Sequence, residues 1–92
     1  MIRRLVLDIM KPHDPDVLVM TKRLSDISGV DGATTKLVEM DEQVQETRVT
    51  IEGDDLDLEQ IQLVVEDLGG SIHSIDEVSC GDEVVEDLWV DN

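Results

Sequence analysis

The stretch Ile2-Arg3-Arg4-Leu5-Val6-Leu7-Asp8-Ile9-Met10 sets the reading of the whole chain. Leu5, Leu7 and Ile9 fall on one side of an extended backbone, and Arg4, Val6 and Asp8 on the other. That period of two marks a strand with one face in a core and one facing outward. Lys11-Pro12-His13-Asp14-Pro15 breaks it. Asp14 is a good N-cap and Pro15 suits the first helical position. The helix is expected to run to Ser28, with Val17, Met20, Leu24 and Ile27 on one face and Gly29 as its stop.

The same logic repeats downstream. Val30 to Asp41 reads as a second strand, with Asp31-Gly32 as a kink or bulge near its start. Met40-Asp41-Glu42-Gln43 forms a turn, and Val44 to Glu52 a third strand with Thr47, Val49 and Ile51 alternating against Arg48, Thr50 and Glu52. After the Gly53-Asp54-Asp55 loop, Asp57 and Gln60 resemble a capping box. Leu58, Ile61, Val65 and Leu68 then repeat the spacing of the first helix until Gly69-Gly70 ends it. Ser71 to Cys80 is the fourth strand, where Ile72 and Ile75, three apart, hint at a bulge.

The order β-α-β-β-α-β, with right-handed crossovers, predicts one α+β domain over residues 1–92. The expected architecture is a ferredoxin-like sandwich: a four-stranded antiparallel sheet in the order 4-1-3-2, two helices on one face and the other face bare. Gly81-Asp82 offers a turn, after which Glu83 to Val90 is read as either a fifth strand or a frayed tail. Val85, Leu88, Trp89 and Val90 are too apolar for a free tail, which makes them candidate interface residues on the open face or on a neighbouring subunit.

Composition excludes several functions. The chain has 23 acids against 7 bases, a net charge of −16, and no Lys or Arg after Arg48. Such a field repels nucleic-acid phosphates and anionic membranes. Trp89 is the single aromatic residue, so base-stacking platforms are absent too. Disorder is the competing reading of so much charge, but the apolar residues are regularly patterned. Self-repulsion on this scale suits concentrated salt, where the Debye length falls to about 3 Å at about 1 M. The acid-rich, Lys-poor surface with a small Val-rich core is the composition expected of a halophilic archaeal protein; an ordinary acidic interaction domain is the plainer alternative. Cys80 is the single cysteine, which suits a reducing interior. No secretory signal and no apolar run of membrane-spanning length are read, so a cytoplasmic location is expected.

Three segments carry a family resemblance: Arg3-Arg4-Leu5-Val6-Leu7-Asp8, then Lys11-Pro12-His13-Asp14-Pro15, then Gly69-Gly70-Ser71-Ile72-His73-Ser74-Ile75-Asp76-Glu77-Val78. Together they resemble an archaeal family known as domain of unknown function 211. The resemblance implies the ferredoxin-like fold and homo-oligomers, and it implies no activity. This chain departs from the family pattern in its acid load and its base-free second half. No Cys-x-x-Cys, P-loop or dinucleotide fingerprint is present.

Chemistry-bearing residues are few. His13 follows the first strand and His73 opens the fourth, its antiparallel neighbour in the expected sheet. His13, Asp14 and His73, with Asp76 and Glu77 nearby, are therefore candidate ligands for Zn, Ni or Mn, and the Gly53-Asp54-Asp55 loop is expected at the same edge. An all-carboxylate version would suit Ca²⁺. The plainer reading is that His13 caps backbone groups and His73 fills the helix–sheet boundary. Asp8 and Asp76 form a second candidate, two close carboxylates that raise one pKa or demand a cation, unless Arg4 or Arg48 pairs with Asp8. Cys80 lies in acidic surroundings that disfavour a thiolate. No catalytic set emerges and no cofactor is certain beyond a possible divalent cation. The leading expectation is a non-enzymatic homo-oligomeric module that binds itself and a small ligand or cation at subunit junctions. The alternative is a divalent-metal-dependent enzyme or metal-binding protein using His13, His73 and nearby carboxylates.

Overall fold

A computed structural model describes residues 1–87 of the chain. The elements are β1 (Ile2–Pro12), α1 (Val17–Ser25), β2 (Val30–Met40), β3 (Val44–Gly53), α2 (Leu58–Asp67) and β4 (Ser71–Cys80). The four strands form one antiparallel sheet in the order β2-β3-β1-β4, the neighbour set that 4-1-3-2 names from the opposite edge. β1 and β3 are central, and β2 and β4 are the edges.

Cross-strand register explains which residues are buried. Leu5 pairs with Ile51, Leu7 with Val49 and Ile9 with Thr47. All six are buried, as are Met20 and Leu24 of α1 and Ile61 and Val65 of α2. One face of the two central strands therefore packs against the buried stripe of each helix, and the alternation seen in residues 2–10 is the alternation between core and surface. Thr47 is polar yet buried, because its hydroxyl donates to the Ile9 carbonyl at 2.8 Å.

Helix α1 starts later than the sequence suggests. Its N-cap is Asp16, whose carboxylate accepts from Val19 N–H, and Asp14 lies outside the helix. The capping geometry requires the side chain to reach the amide three residues on, and here Asp16 satisfies it. The helix also ends at Ser25, and Ile27 packs against the core from the turn that follows. In α2 the expected cap holds: Asp57 accepts from the amides of Glu59 and Gln60.

Some of the irregularities fall where the sequence hinted. The β2–β3 ladder shifts register between Val30 and Gly32 and again between Leu37 and Glu39. The β1–β4 ladder shifts three times, twice with the extra residue in β4, so that Ile75 pairs with Leu7 and Ile72 with Ile9. Gly53 is fixed by crowding: a Cβ there would collide with the Gly29 carbonyl oxygen. Gly29 itself adopts φ +90°, and its carbonyl accepts from Asp54 N–H at 2.9 Å. The end of β3 is thus pinned to the loop between α1 and β2.

No fifth strand occurs among the described residues. Glu83 to Asp87 carry no regular structure, and Val85 is exposed. Leu88, Trp89 and Val90, the rest of the candidate interface, lie outside the described residues.

Candidate functional site on the open sheet face

The face away from the helices is charged rather than apolar. Register lays its side chains out in rows across the strands. Arg4 stands opposite Glu52 on β3 and Ser79 on β4. Asp8 stands opposite Arg48 on β3 and Ser74 on β4, and Arg48 in turn opposite Lys36 on β2. Glu46 stands between Met10 on β1 and Glu39 on β2.

At one end Arg4 gathers three carboxylates. Its Nε donates to Glu52 at 2.9 Å, and Nη1 donates to Glu77 at 3.3 Å. Nη1 and Nη2 donate to the two oxygens of Glu86 at 3.1 and 2.7 Å, a fork-to-fork pair. The guanidinium is raised above its ordinary pKa, first by Glu86 and then by Glu52, while Arg4 holds the Glu86 carboxyl below the usual carboxylate range. The consequence is structural: the segment after Gly81 is tied back over the open face.

At the other end the balance reverses. Glu46 lies within hydrogen-bonding reach of Asp8, and this neighbour pushes its pKa upward, with a further contribution from Glu39 and an opposing one from His73. One Asp8 carboxylate oxygen is buried without a hydrogen-bond partner among the described residues. Glu46 also lines a cleft of about 260 Å³, together with Met10, Glu39, Met40, Asp41 and Val44.

The predicted site residues are dispersed. His13 is exposed, and its Nε2 lies 2.7 Å from the Asp41 carbonyl oxygen, so that nitrogen carries the proton and donates. Asp14 is exposed in the loop before α1. His73 is exposed at a β4 register shift. Asp76 accepts from the Ser74 hydroxyl at 2.7 Å, and Glu77 belongs to the Arg4 cluster. Asp8 faces Ser74 and contacts Glu46, and among the described residues it forms no ion pair with Arg4 or Arg48. Among the described residues no three His, Cys, Asp or Glu side chains come together to hold a metal ion.

The Gly53-Asp54-Asp55 loop is at the opposite end of the sheet from His13. β3 runs antiparallel to β1, so its end meets the start of β1, where Arg3 binds Asp54 at 3.1 Å. The Asp41 turn takes that place instead. Its carboxylate accepts the amides of Gln43 and Val44 at 2.8 Å each, which lowers its pKa.

Sequence reasoning missed Lys11. It lies on the helix side of β1, fully buried, with Nζ donating to the Pro12 carbonyl at 2.7 Å and to Gln45 Oε1 at 2.8 Å. Burial pushes its pKa down, against the pull of Asp16 and Asp14. The signal was its odd position in the alternation Leu5, Leu7, Ile9, Lys11.

Fold and surface together define a two-layer α+β protein whose sheet face away from the helices is charged. Comparison with known proteins gives the kinship. The family model described as uncharacterized ArCR, domain of unknown function 211, matches residues 3–91, and the chain belongs to that family. An uncharacterized protein of the archaeon Methanocaldococcus jannaschii is 46% identical over 87 residues, covering 95% of this chain and 90% of its own length. No helix among the described residues is long and apolar enough to cross a membrane.

Proposed function

We propose that this chain is a non-enzymatic binding module that works as a homo-oligomer in the concentrated-salt cytoplasm of a haloarchaeon, with the ferredoxin-like sandwich as its scaffold. One observation carries the self-association. Both sheet edges are long, and both present apolar side chains to solvent: Leu37, Val38 and Met40 on β2, and Ile75 and Val78 on β4. Unpaired strand edges with apolar side chains are templates for pairing with another chain. β2 and β4 run in opposite directions, so joining β4 of one copy to β2 of the next continues the antiparallel pattern. The helix layer continues with it, and Leu18 and Val19 of α1, exposed in the single chain, then have a surface to meet. The net charge of −16 opposes the contact, and molar salt relieves that opposition.

Light scattering behind a sizing column in molar KCl tests the reading. A mass of several chains, reduced by Leu37→Lys or Ile75→Lys, supports it; a monomer at high protein concentration overturns it. Dialysis to dilute buffer is expected to unfold the chain, and unchanged circular dichroism would remove halophily from the proposal. A cation as the ligand draws support from the Asp8–Glu46 contact, since two close carboxylates attract positive charge. Thermal stabilisation by Ca²⁺, Mn²⁺ or Zn²⁺ that disappears in Glu46→Gln would favour it, and no stabilisation by any of the three would count against it.

A further inference from the structure

The middle of the open face holds opposite charges that do not pair. Three of the four arginines form ion pairs: Arg3 with Asp54, Arg4 with its three glutamates, and Arg23 with Asp67. The fourth, Arg48, forms none within 4 Å among the described residues, although its cross-strand partner is Asp8. Lys36, opposite Arg48 on its other side, is likewise without an ion pair there. Lys11 and Lys22 also lack an ion pair within 4 Å among the described residues, but Lys36 and Arg48 stand side by side across the sheet, two like charges with no carboxylate to separate them. The Asp8 oxygen without a partner completes the oddity. A buried acceptor left unsatisfied is costly unless something fills it.

We propose that Lys36, Arg48, Asp8 and Glu46 form a binding site for a small zwitterion of the α-amino-acid type. Lys36 and Arg48 take the ligand carboxylate; Asp8 and Glu46 take its ammonium group. Lys36, Arg48 and Asp8 share one row of the sheet and Glu46 stands in the next, so both signs of charge lie side by side for a molecule that carries both on one short carbon frame. A ligand with one charge satisfies only half of the site. The cleft beside Glu46 has walls from Met10, Met40 and Val44, and its volume of about 260 Å³ accepts a short aliphatic side chain. His73 and Glu39 flank the ammonium end, and Thr34 and Thr50 flank the carboxylate end with hydroxyls. This inference rests on the reading of the protein as a binding module and names the ligand class.

The test is a calorimetric titration of the full chain with a panel of free α-amino acids up to about 10 mM, beside the corresponding simple amines and carboxylates. The expected result is binding of an aliphatic amino acid, with its amine and carboxylate analogues weaker by roughly tenfold or more. Arg48→Gln, which alters an exposed side chain, is expected to lose roughly tenfold or more in affinity with circular dichroism unchanged. Asp8→Asn tests the other end, and Arg23→Gln, on the helix side, should bind as the parent does. No binding anywhere in the panel overturns the proposal, as does an amine or a carboxylate binding as tightly as the amino acid. Light scattering on the same samples separates the two readings: a multi-chain mass with no amino-acid binding removes this site and leaves the assembly standing.

Discussion

The two faces of the sheet use the same strands under opposite rules. Toward the helices, Leu5, Leu7, Ile9, Val49 and Ile51 are closed off from water, and what holds them is apolar area. Toward solvent, Arg4, Asp8, Arg48 and Glu46 stand one residue away in sequence, and their interactions are screened charges. On the covered face even the buried polar side chains Lys11 and Thr47 find partners. The open face is overpaired at Arg4 and underpaired at Asp8 and Arg48. Stability thus resides on one face, and the other is free to carry binding.

Substitution can break that comparison most sharply within β1. Leu7→Ala should destabilise the fold by about 3 kcal/mol, while Val6→Ala, on the other face, should cost about 1 kcal/mol or less; chemical denaturation measures both, and equal losses would erase the distinction. Thr47→Val removes a buried hydroxyl bond, with an expected loss of about 1 kcal/mol by the same assay. Glu46→Gln should raise the melting temperature at neutral pH. The Glu46 pKa is raised in the folded chain, so the folded state binds more protons than the unfolded one above the ordinary glutamate value, and stability falls as pH climbs through that window. The gain from the substitution should therefore vanish once the pH drops below the ordinary value. Glu86→Gln works with the opposite sign: its pKa is lowered, so what it contributes is present above the ordinary value and lost as pH falls through the folded one. Its main expected effect is faster hydrogen exchange in residues 82–87, with little change in global stability.

How much of this was legible follows from the range of each interaction. Strand faces, the Asp57 cap and the β4 bulge are local patterns, and each was readable within a few residues. The first cap was misplaced by two residues, because Asp14 and Asp16 are both competent and Val19 decides between them. The Arg4 cluster joins residues 4, 52, 77 and 86, and Glu46 meets Asp8 across 38 positions. Such pairs depend on register, which sequence period alone leaves open. The histidines drew attention as rare ligand types, yet His13 spends its ring nitrogen on a backbone carbonyl.

The register shifts of β4 have a consequence for assembly size. Bulges sharpen the local right-handed twist of a strand. β4 carries two of its shifts at the very edge that would meet the next copy. In a head-to-tail assembly, the angle between neighbours decides whether the chain of copies closes and after how many. The one-residue insertions that place Ile72 and Ile75 would then act as a counting device: deleting one should change how many subunits complete the circle before it changes how any one of them folds.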